Sequence, residues 1–319
     1  MLVRLFALIL LVSCLDGCRT LSITDQSSKN QSSVQSYDFH YFDRIDVNAA
    51  VNVQIHPGSS LSRVILHGDP RDLSHIKMRA KHGKFMLVLD EKQTPMKQDY
   101  PHFGPVQVDI YIKKLRALTY KGKGQVVAQG LHASPFDLTI QNPEKTMLDG
   151  TIGLRCLTLT GPGYIEVKGI NSQDLRVKIQ GKPKVQLMGV ANLTQLTMRG
   201  GAMFSMYWLK SRTLILRAYD SSRIQLAGVV NRLDVELWDK AQFNGRYLRA
   251  DHAFIKTHEH SLAEVVSVKD QHTLATDASD IHFYNLPRFR ADFMAINGAV
   301  LDMRDWSLQL SQRETIYNQ

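Results

Sequence analysis

Leu157 to Gly169 reads LTLTGPGYIEVKG, and from Val177 to Gly189 the chain writes nearly the same pattern again as VKIQGKPKVQLMG. It continues with LRAYDSSRIQLAG over Leu216–Gly228 and VELWDKAQFNGRY over Val235–Tyr247. Aligned windows begin at Leu118, Leu138, Leu157, Val177, Leu196, Leu216, Val235, Ile255, Leu274 and Met294, always 19 or 20 residues apart. Position one is apolar throughout, and position three holds Tyr120, Ile140, Leu159, Ile179, Met198, Ala218, Leu237, Thr257, Thr276 and Ile296. Position nine holds Val126, Thr146, Ile165, Val185, Phe204, Ile224, Phe243 and Ala263, with Ile281 arriving one place early in the ninth window. Apolar residues two apart mark short strands with one buried face.

Between the two strands of each window sit residues suited to a turn, such as Gly161-Pro162-Gly163, Gly200-Gly201, Asp220-Ser221-Ser222 and Asp239-Lys240. A second column, Gly130, Gly150, Gly169, Gly189 and Gly228, closes the window, and an aliphatic residue after it starts a third strand. A unit this small cannot bury its apolar side alone, so successive units must stack strand on strand. The pattern predicts an all-β chain: a parallel β-solenoid (β-helix) of about ten coils, right-handed because parallel crossovers are, with an irregular β region at its N-terminal end. An antiparallel sandwich is the competitor, but its hairpins would not recur at one period in the same columns.

The chain opens MLVRLFALILLVSCLDGC. The apolar run from Leu5 to Val12 is too short to span a bilayer and reads as the core of a signal peptide. Leu11-Val12-Ser13-Cys14 resembles a bacterial lipobox, and Leu15-Asp16-Gly17-Cys18 is a second candidate with a charge, Asp16, where such signals carry a small neutral residue. Lipidation is therefore expected at Cys14, with Cys18 as the alternative; a plain signal peptide with incidental cysteines is the reading that needs no anchor. Neither Leu15 nor Arg19 is the aspartate that marks inner-membrane retention in lipoproteins of this kind, so the resemblance implies a bacterial cell-envelope protein of the outer membrane. Of three cysteines, the mature body would keep Cys156 and one unmodified neighbour of the anchor at most, too few for a disulfide framework. The expected organisation is a signal peptide over 1–17, cut before Cys14 or Cys18, and a polar tether over 18–37. An N-terminal β region and cap over 38–114, coils over 115–306 and a tail over 307–319 complete it.

The region ahead of the coils resembles a known family. Phe42, Ile45 and Val47 precede Val51, Val53, Ile55 and Gly58; Gly68-Asp69 precedes Leu73; and His82-Gly83-Lys84 precedes Phe85-Met86-Leu87. Val106, Val108, Ile110 and Ile112 then lead to Leu115, Leu118 and Gly122-Lys123-Gly124. This order is similar to the auto-transporter adhesin head domain, or GIN domain, over about 40 to 210. The resemblance implies a right-handed parallel β-solenoid of the bacterial envelope. It implies no activity and no site residues.

For a ligand site, the residues that differ between coils matter most. Tyr219, Trp238 and His258 share position four, with Asp220, Asp239 and Glu259 beside them. Outward residues of stacked coils lie about 5 Å apart, so these could form an aromatic ladder flanked by acids, a surface suited to a glycan. Shielding of a turn, or contact with a C-terminal segment, is the simpler expectation. His258-Glu259-His260 matches no strong zinc spacing, so no metal and no cofactor is expected. Paired carboxylates of a polysaccharide hydrolase or lyase are the enzymatic alternative; acids recurring once per coil read more simply as a solvated turn edge. The formal charge of +9 favours anionic glycans or lipid headgroups, and becomes +8 if Arg4 is removed with the signal. The cations are spread along the chain with no basic and aromatic nucleic-acid motif, so nucleic acid is not an expected partner. The sequence reading is a non-enzymatic envelope lipoprotein whose solenoid face binds or scaffolds an envelope or extracellular partner.

Overall fold

The computed structural model describes residues 33–89 and 106–304. The expected signal peptide, both candidate lipidation sites, Cys14 and Cys18, and the tail over 307–319 lie outside the described residues. Strands β1 (Ser33–Phe39), β2 (Arg44–Asn48), β3 (Val51–Pro57) and β4 (Ser62–Gly68) come first. A single helical turn, α1 (Pro70–Ser74), separates them from β5 (Ile76–Lys81), β6 (Lys84–Leu89), β7 (Val106–Ile112) and β8 (Ala117–Lys121). Then come long bent strands: β9 (Gln125–Gln141), β10 (Lys145–Thr160), β11 (Gly163–Gln180), β12 (Pro183–Arg199), β13 (Met203–Ala218), β14 (Arg223–Leu237), β15 (Gln242–Thr257) and β16 (Leu262–Thr276). Three short strands follow, β17 (Asp280–Phe283), β18 (Arg290–Ile296) and β19 (Ala299–Asp302).

Each long strand pairs in parallel with the next, and the ladder breaks register at one or more bends within each coil. The result is a parallel β-solenoid of about nine turns, close to the ten windows of the sequence. In one coil the first side ends at Ala128, the second carries Leu131 and Ala133, and the third carries Phe136, Leu138 and Ile140, all buried. Leu157, Leu159, Ile165 and Val167 of the opening stretch all point into the core, none more than 1% exposed. Among the described residues no helix is long and apolar enough to cross a membrane.

Three details differ from the sequence reading. Ser33–Phe39, which begins inside the expected tether over 18–37 and runs past its end, is a strand antiparallel to β4. The N-terminal region is also less irregular than expected, because β2 and β3 form a coil of their own. That coil lies between β6 and β7 on one side and β8 and β9 on the other, all in parallel. Antiparallel β4 and β5 close this end of the stack against β7 and β6, which removes an open parallel edge. Third, the ninth and tenth windows are offset by one residue. Thr257 pairs with Ala275, and Thr273 and Ala275 are the buried residues where Leu274 and Thr276 were expected. That coil is one residue shorter, which is what moved Ile281 forward. Beyond it Phe293, Met294 and Ile296 are exposed by 37%, 57% and 60%, as befits the last coil of the described stack.

Backbones meet closely where the first side turns into the second. A Cβ on Gly169, at φ +72°, would lie 1.7 Å from the carbonyl oxygen of Gly150, whereas one on Gly130, at φ +64°, would meet nothing within 4 Å. Gly130→Ala should therefore cost about 1–2 kcal/mol, the strain of a left-handed L-residue alone, and Gly169→Ala at least about 3 kcal/mol because a neighbouring coil must also shift. Chemical denaturation of the two variants reads the difference; equal losses would contradict the close stacking.

Candidate functional site

The corner between the third and first sides places the residues singled out in the sequence. It is a four-residue turn in each of the later coils: the N–H groups of Ser222, Ala241, Ser261 and Ser279 donate to the carbonyls of Tyr219, Trp238, His258 and Thr276. The second residue of every such turn has positive φ, at 60° for Asp220, 60° for Asp239, 61° for Glu259 and 59° for Asp277. Gly122, Asn142, Gly161, Gly181 and Gly200 hold the same place, also at positive φ, in earlier coils. Positive φ at the first central residue alone is the signature of a type II′ turn, which Gly, Asn and Asp tolerate best.

The three aspartates of this column are engaged with backbone. The Asp220 carboxylate accepts from the N–H of Gly200 at 2.8 Å, that of Asp239 from the N–H of Asp220 at 2.9 Å, and that of Asp277 from the N–H of Glu259 at 3.4 Å. Each carboxylate thus satisfies the corner amide of the coil before it, an amide that the turn itself leaves unpaired. Below them a buried hydroxyl column, Ser222, Ser261 and Ser279, donates back to the turn carbonyls at 2.8, 2.8 and 2.7 Å. The sequence reading did not single out these serines; their recurrence two residues after the acids was the available signal.

Tyr219, Trp238 and His258 are all half-buried. Trp238 and His258 stack with ring centroids 3.9 Å apart and planes 16° apart, and the Arg199 guanidinium covers the Tyr219 ring at 4.2 Å. Nδ1 of His258 lies 2.9 Å from Thr276 Oγ1, so Thr276, not Asp277, continues the position-four ladder after the one-residue offset. Alongside, Arg217 bridges Asp234 and Glu236 at 3.0 and 2.9 Å. Rings stacked at van der Waals distance have no room for a sugar between them. Among the described residues no three His, Cys, Asp or Glu side chains converge as a metal-ligand set.

The second side of the coils carries a different surface. Successive coils present Asn171 and Gln173, Val190 and Asn192, Lys210 and Arg212, Val229 and Asn231, then Arg249 and Asp251. Together they line a concavity of about 640 Å³. Asn192 donates through Nδ2 to the Gln173 carbonyl at 2.8 Å, while its Oδ1 and the hydroxyl of Ser211, both buried, have no partner among the described residues. Asp251 bonds Lys269 at 2.8 Å, and that ammonium holds its carboxyl below the usual aspartate range. At the corner leading into this side, the glycine column is interrupted by Trp208, with φ +67° and 75% of its surface exposed. That break was visible in the sequence, where position thirteen runs Gly189, Trp208, Gly228.

A family model described as "Putative auto-transporter adhesin, head GIN domain" matches residues 41–215. The chain belongs to this family. The GIN match covers the first coils and the N-terminal end, and the later coils of β14 to β19 extend the same stack beyond it. No curated protein matches the chain. Among solved structures, one described as a "putative adhesin" from Parabacteroides distasonis is 14% identical. It covers 86% of this chain and 98% of its own length with a TM-score of 0.44. A "putative adhesin" from Parabacteroides merdae is also 14% identical, covering 86% and 97% with a TM-score of 0.43. A "Putative lipid binding protein" from Parabacteroides distasonis is 10% identical, covering 86% and 98% with a TM-score of 0.43. The description attached to the GIN family is that of an adhesin head.

If the corner acids serve the backbone, their charge is dispensable and their shape is not. Asp239→Asn keeps both the acceptor and the tolerance of positive φ and should leave stability within about 0.5 kcal/mol. Asp239→Gly loses the acceptor alone, at about 1 kcal/mol, and Asp239→Ala loses both, at about 2–3 kcal/mol. Thermal melts should rank the variants in that order; a loss in Asp239→Asn as large as in Asp239→Ala would show that the charge itself matters.

Proposed function

We propose that this GIN-domain chain is a non-enzymatic binding module of the bacterial cell envelope, held at the outer membrane by acyl chains on Cys14, and that a face of its solenoid engages an envelope or extracellular partner. The observation that carries the reading is the use of the acids. Asp220, Asp239 and Asp277 accept backbone hydrogen bonds at the turns, while the second-side concavity is lined by amides, hydroxyls, cations and valines, with Asp251 as its acid. Glycoside cleavage would need two carboxyl groups across a bound sugar; recognition needs hydrogen-bonding groups and charge along a rigid surface, which a stack of parallel coils supplies with little ordering cost on binding. The adhesin names in the family agree with this.

A diacylglycerol thioether together with an amide-linked acyl chain gives more than one lipid anchor, enough for stable attachment. The polar segment after it, rich in Ser, Gln and Asn up to β1, then acts as the tether that sets the coils off the membrane.

Palmitate labelling in a bacterial host tests the anchor. Label and membrane association should be lost in Cys14→Ala and kept in Cys18→Ala; label kept in both single variants and in the double variant would overturn it. The non-enzymatic part is tested by incubating the chain with acidic polysaccharides and following chain length. No cleavage is expected, and cleavage that disappears in Asp239→Asn would make the protein an enzyme.

A further inference from the structure

Trp208 breaks the rule of its own corner. Gly130, Gly150, Gly169, Gly189 and Gly228 occupy that column with positive φ, and a bulky L-residue pays strain there that glycine does not. The strain is not offset by packing, since three quarters of the indole is in solvent, 75% by area. Strained backbone of this kind collects at functional sites. A second exposed aromatic, Tyr247 at 69%, sits close by. Leu209 pairs with Gly228 and Ala227 pairs with Tyr247, so the two aromatics border the small Ala227 from opposite sides. That places them about two strand spacings, or ~10 Å, apart.

Two residues past Trp208 the chain enters the second-side groove at Lys210. The groove spans five coils, from Asn171 to Asp251, a length of ~19 Å at the usual strand spacing. Among the described residues its cations Lys210, Arg212 and Arg249 form no salt bridge, while its acid, Asp251, is engaged by Lys269 and also feels the charge of Arg249. Ser211, 7% exposed, and Asn192 Oδ1 are buried in the groove without hydrogen-bond partners among the described residues. Buried polar atoms without partners point to a ligand that completes them.

We propose that this groove, with Trp208 and Tyr247 at its edge, binds an acidic polysaccharide. The inference rests on the binding-module reading above and names its ligand class. Sugar faces stack on the two free aromatic surfaces, hydroxyl groups pair with Asn192, Ser211 and Asn231, and carboxylate or sulfate groups meet Lys210, Arg212 and Arg249. A bilayer is the other anionic surface these cations would attract, but a concave floor with unpartnered hydrogen-bonding atoms suits hydroxyl groups and not acyl chains. The groove therefore favours the glycan.

The test uses the full chain carrying Cys14→Ala and Cys18→Ala, so that no acyl group contributes to binding. Titration calorimetry measures affinity for polygalacturonate, alginate and chondroitin sulfate, for methyl-esterified polygalacturonate, and for phosphatidylglycerol vesicles. At least one acidic polymer should bind, weakening as salt rises, and the neutral ester should bind at least about tenfold more weakly than polygalacturonate or not at all. Trp208→Gly should reduce affinity by about tenfold with an unchanged or higher melting temperature, because glycine is the residue this backbone accepts. Arg212→Gln with Arg249→Gln should reduce it comparably without unfolding.

If no acidic polymer binds, the ligand class is wrong, and the envelope reading still stands on palmitate labelling. If a polymer binds but neither variant weakens it, the groove is wrong and the binding-module reading survives. Equal affinity for the neutral ester removes the acidic requirement. Capture by vesicles that depends on Trp208 and Arg212, in the absence of polymer binding, makes the groove a lipid site and overturns the proposal.

Discussion

The structure depends on one constraint: each coil must lie a single strand spacing from the next, about 4.8 Å, over its whole length, including the corners. Along the sides this is ordinary parallel pairing, and the apolar interior follows from alternation. At the corners the backbone has to turn without pushing a Cβ into the coil beside it. Glycines answer this at one corner, where Gly169 all but touches the carbonyl of Gly150. At the other corner a left-handed residue opens a tight turn, and at Asp220, Asp239 and Asp277 its side chain also receives an amide from the adjacent coil. Stability is then a sum of neighbouring interfaces, with the antiparallel strands β4 and β5 protecting one end.

Much of this could be read from the residues, because a fixed period with recurring turn chemistry leaves few alternatives to a solenoid. The buried identity of Leu157, Leu159, Ile165 and Val167 follows from alternation alone. What could not be read was long-range order. Nothing local says that β2 lies between β6 and β8, since that placement requires the chain to leave the stack through α1 and return. The offset in the ninth coil was also concealed, because Leu274 looks like a better core residue than Thr273. Only the shorter passage from Glu264 to Ser267, opposite Asn244 to Ala250 of the coil before, puts Thr273 and Ala275 inside.

The candidate site shows the same division. Asp220, Asp239 and Glu259 were grouped correctly by column, yet the column contains Asn142 and several glycines at the same φ, and that mixture is the mark of backbone geometry. Trp238 and His258 do lie together, but face to face, which closes the space between them to a sugar. The more informative signal was an exception: a tryptophan in a glycine column. In a repeat whose columns are governed by packing, departures that cost strain and bury little are where interaction with something outside the chain is concentrated. Trp208 meets that description, and the unpaired cations and unpartnered polar atoms of the adjacent groove supply the rest of a recognition surface.

The central claim is this separation, with the acidic corner serving the fold and the second side serving recognition. Amide hydrogen exchange of the full chain, with and without saturating oligogalacturonate, tests it most directly. Slower exchange is predicted within 171–173, 208–212, 229–231 and 249–251, with 219–222, 238–241 and 258–261 unchanged. Slowing confined to 219–222, 238–241 and 258–261 would contradict it, and so would no change anywhere.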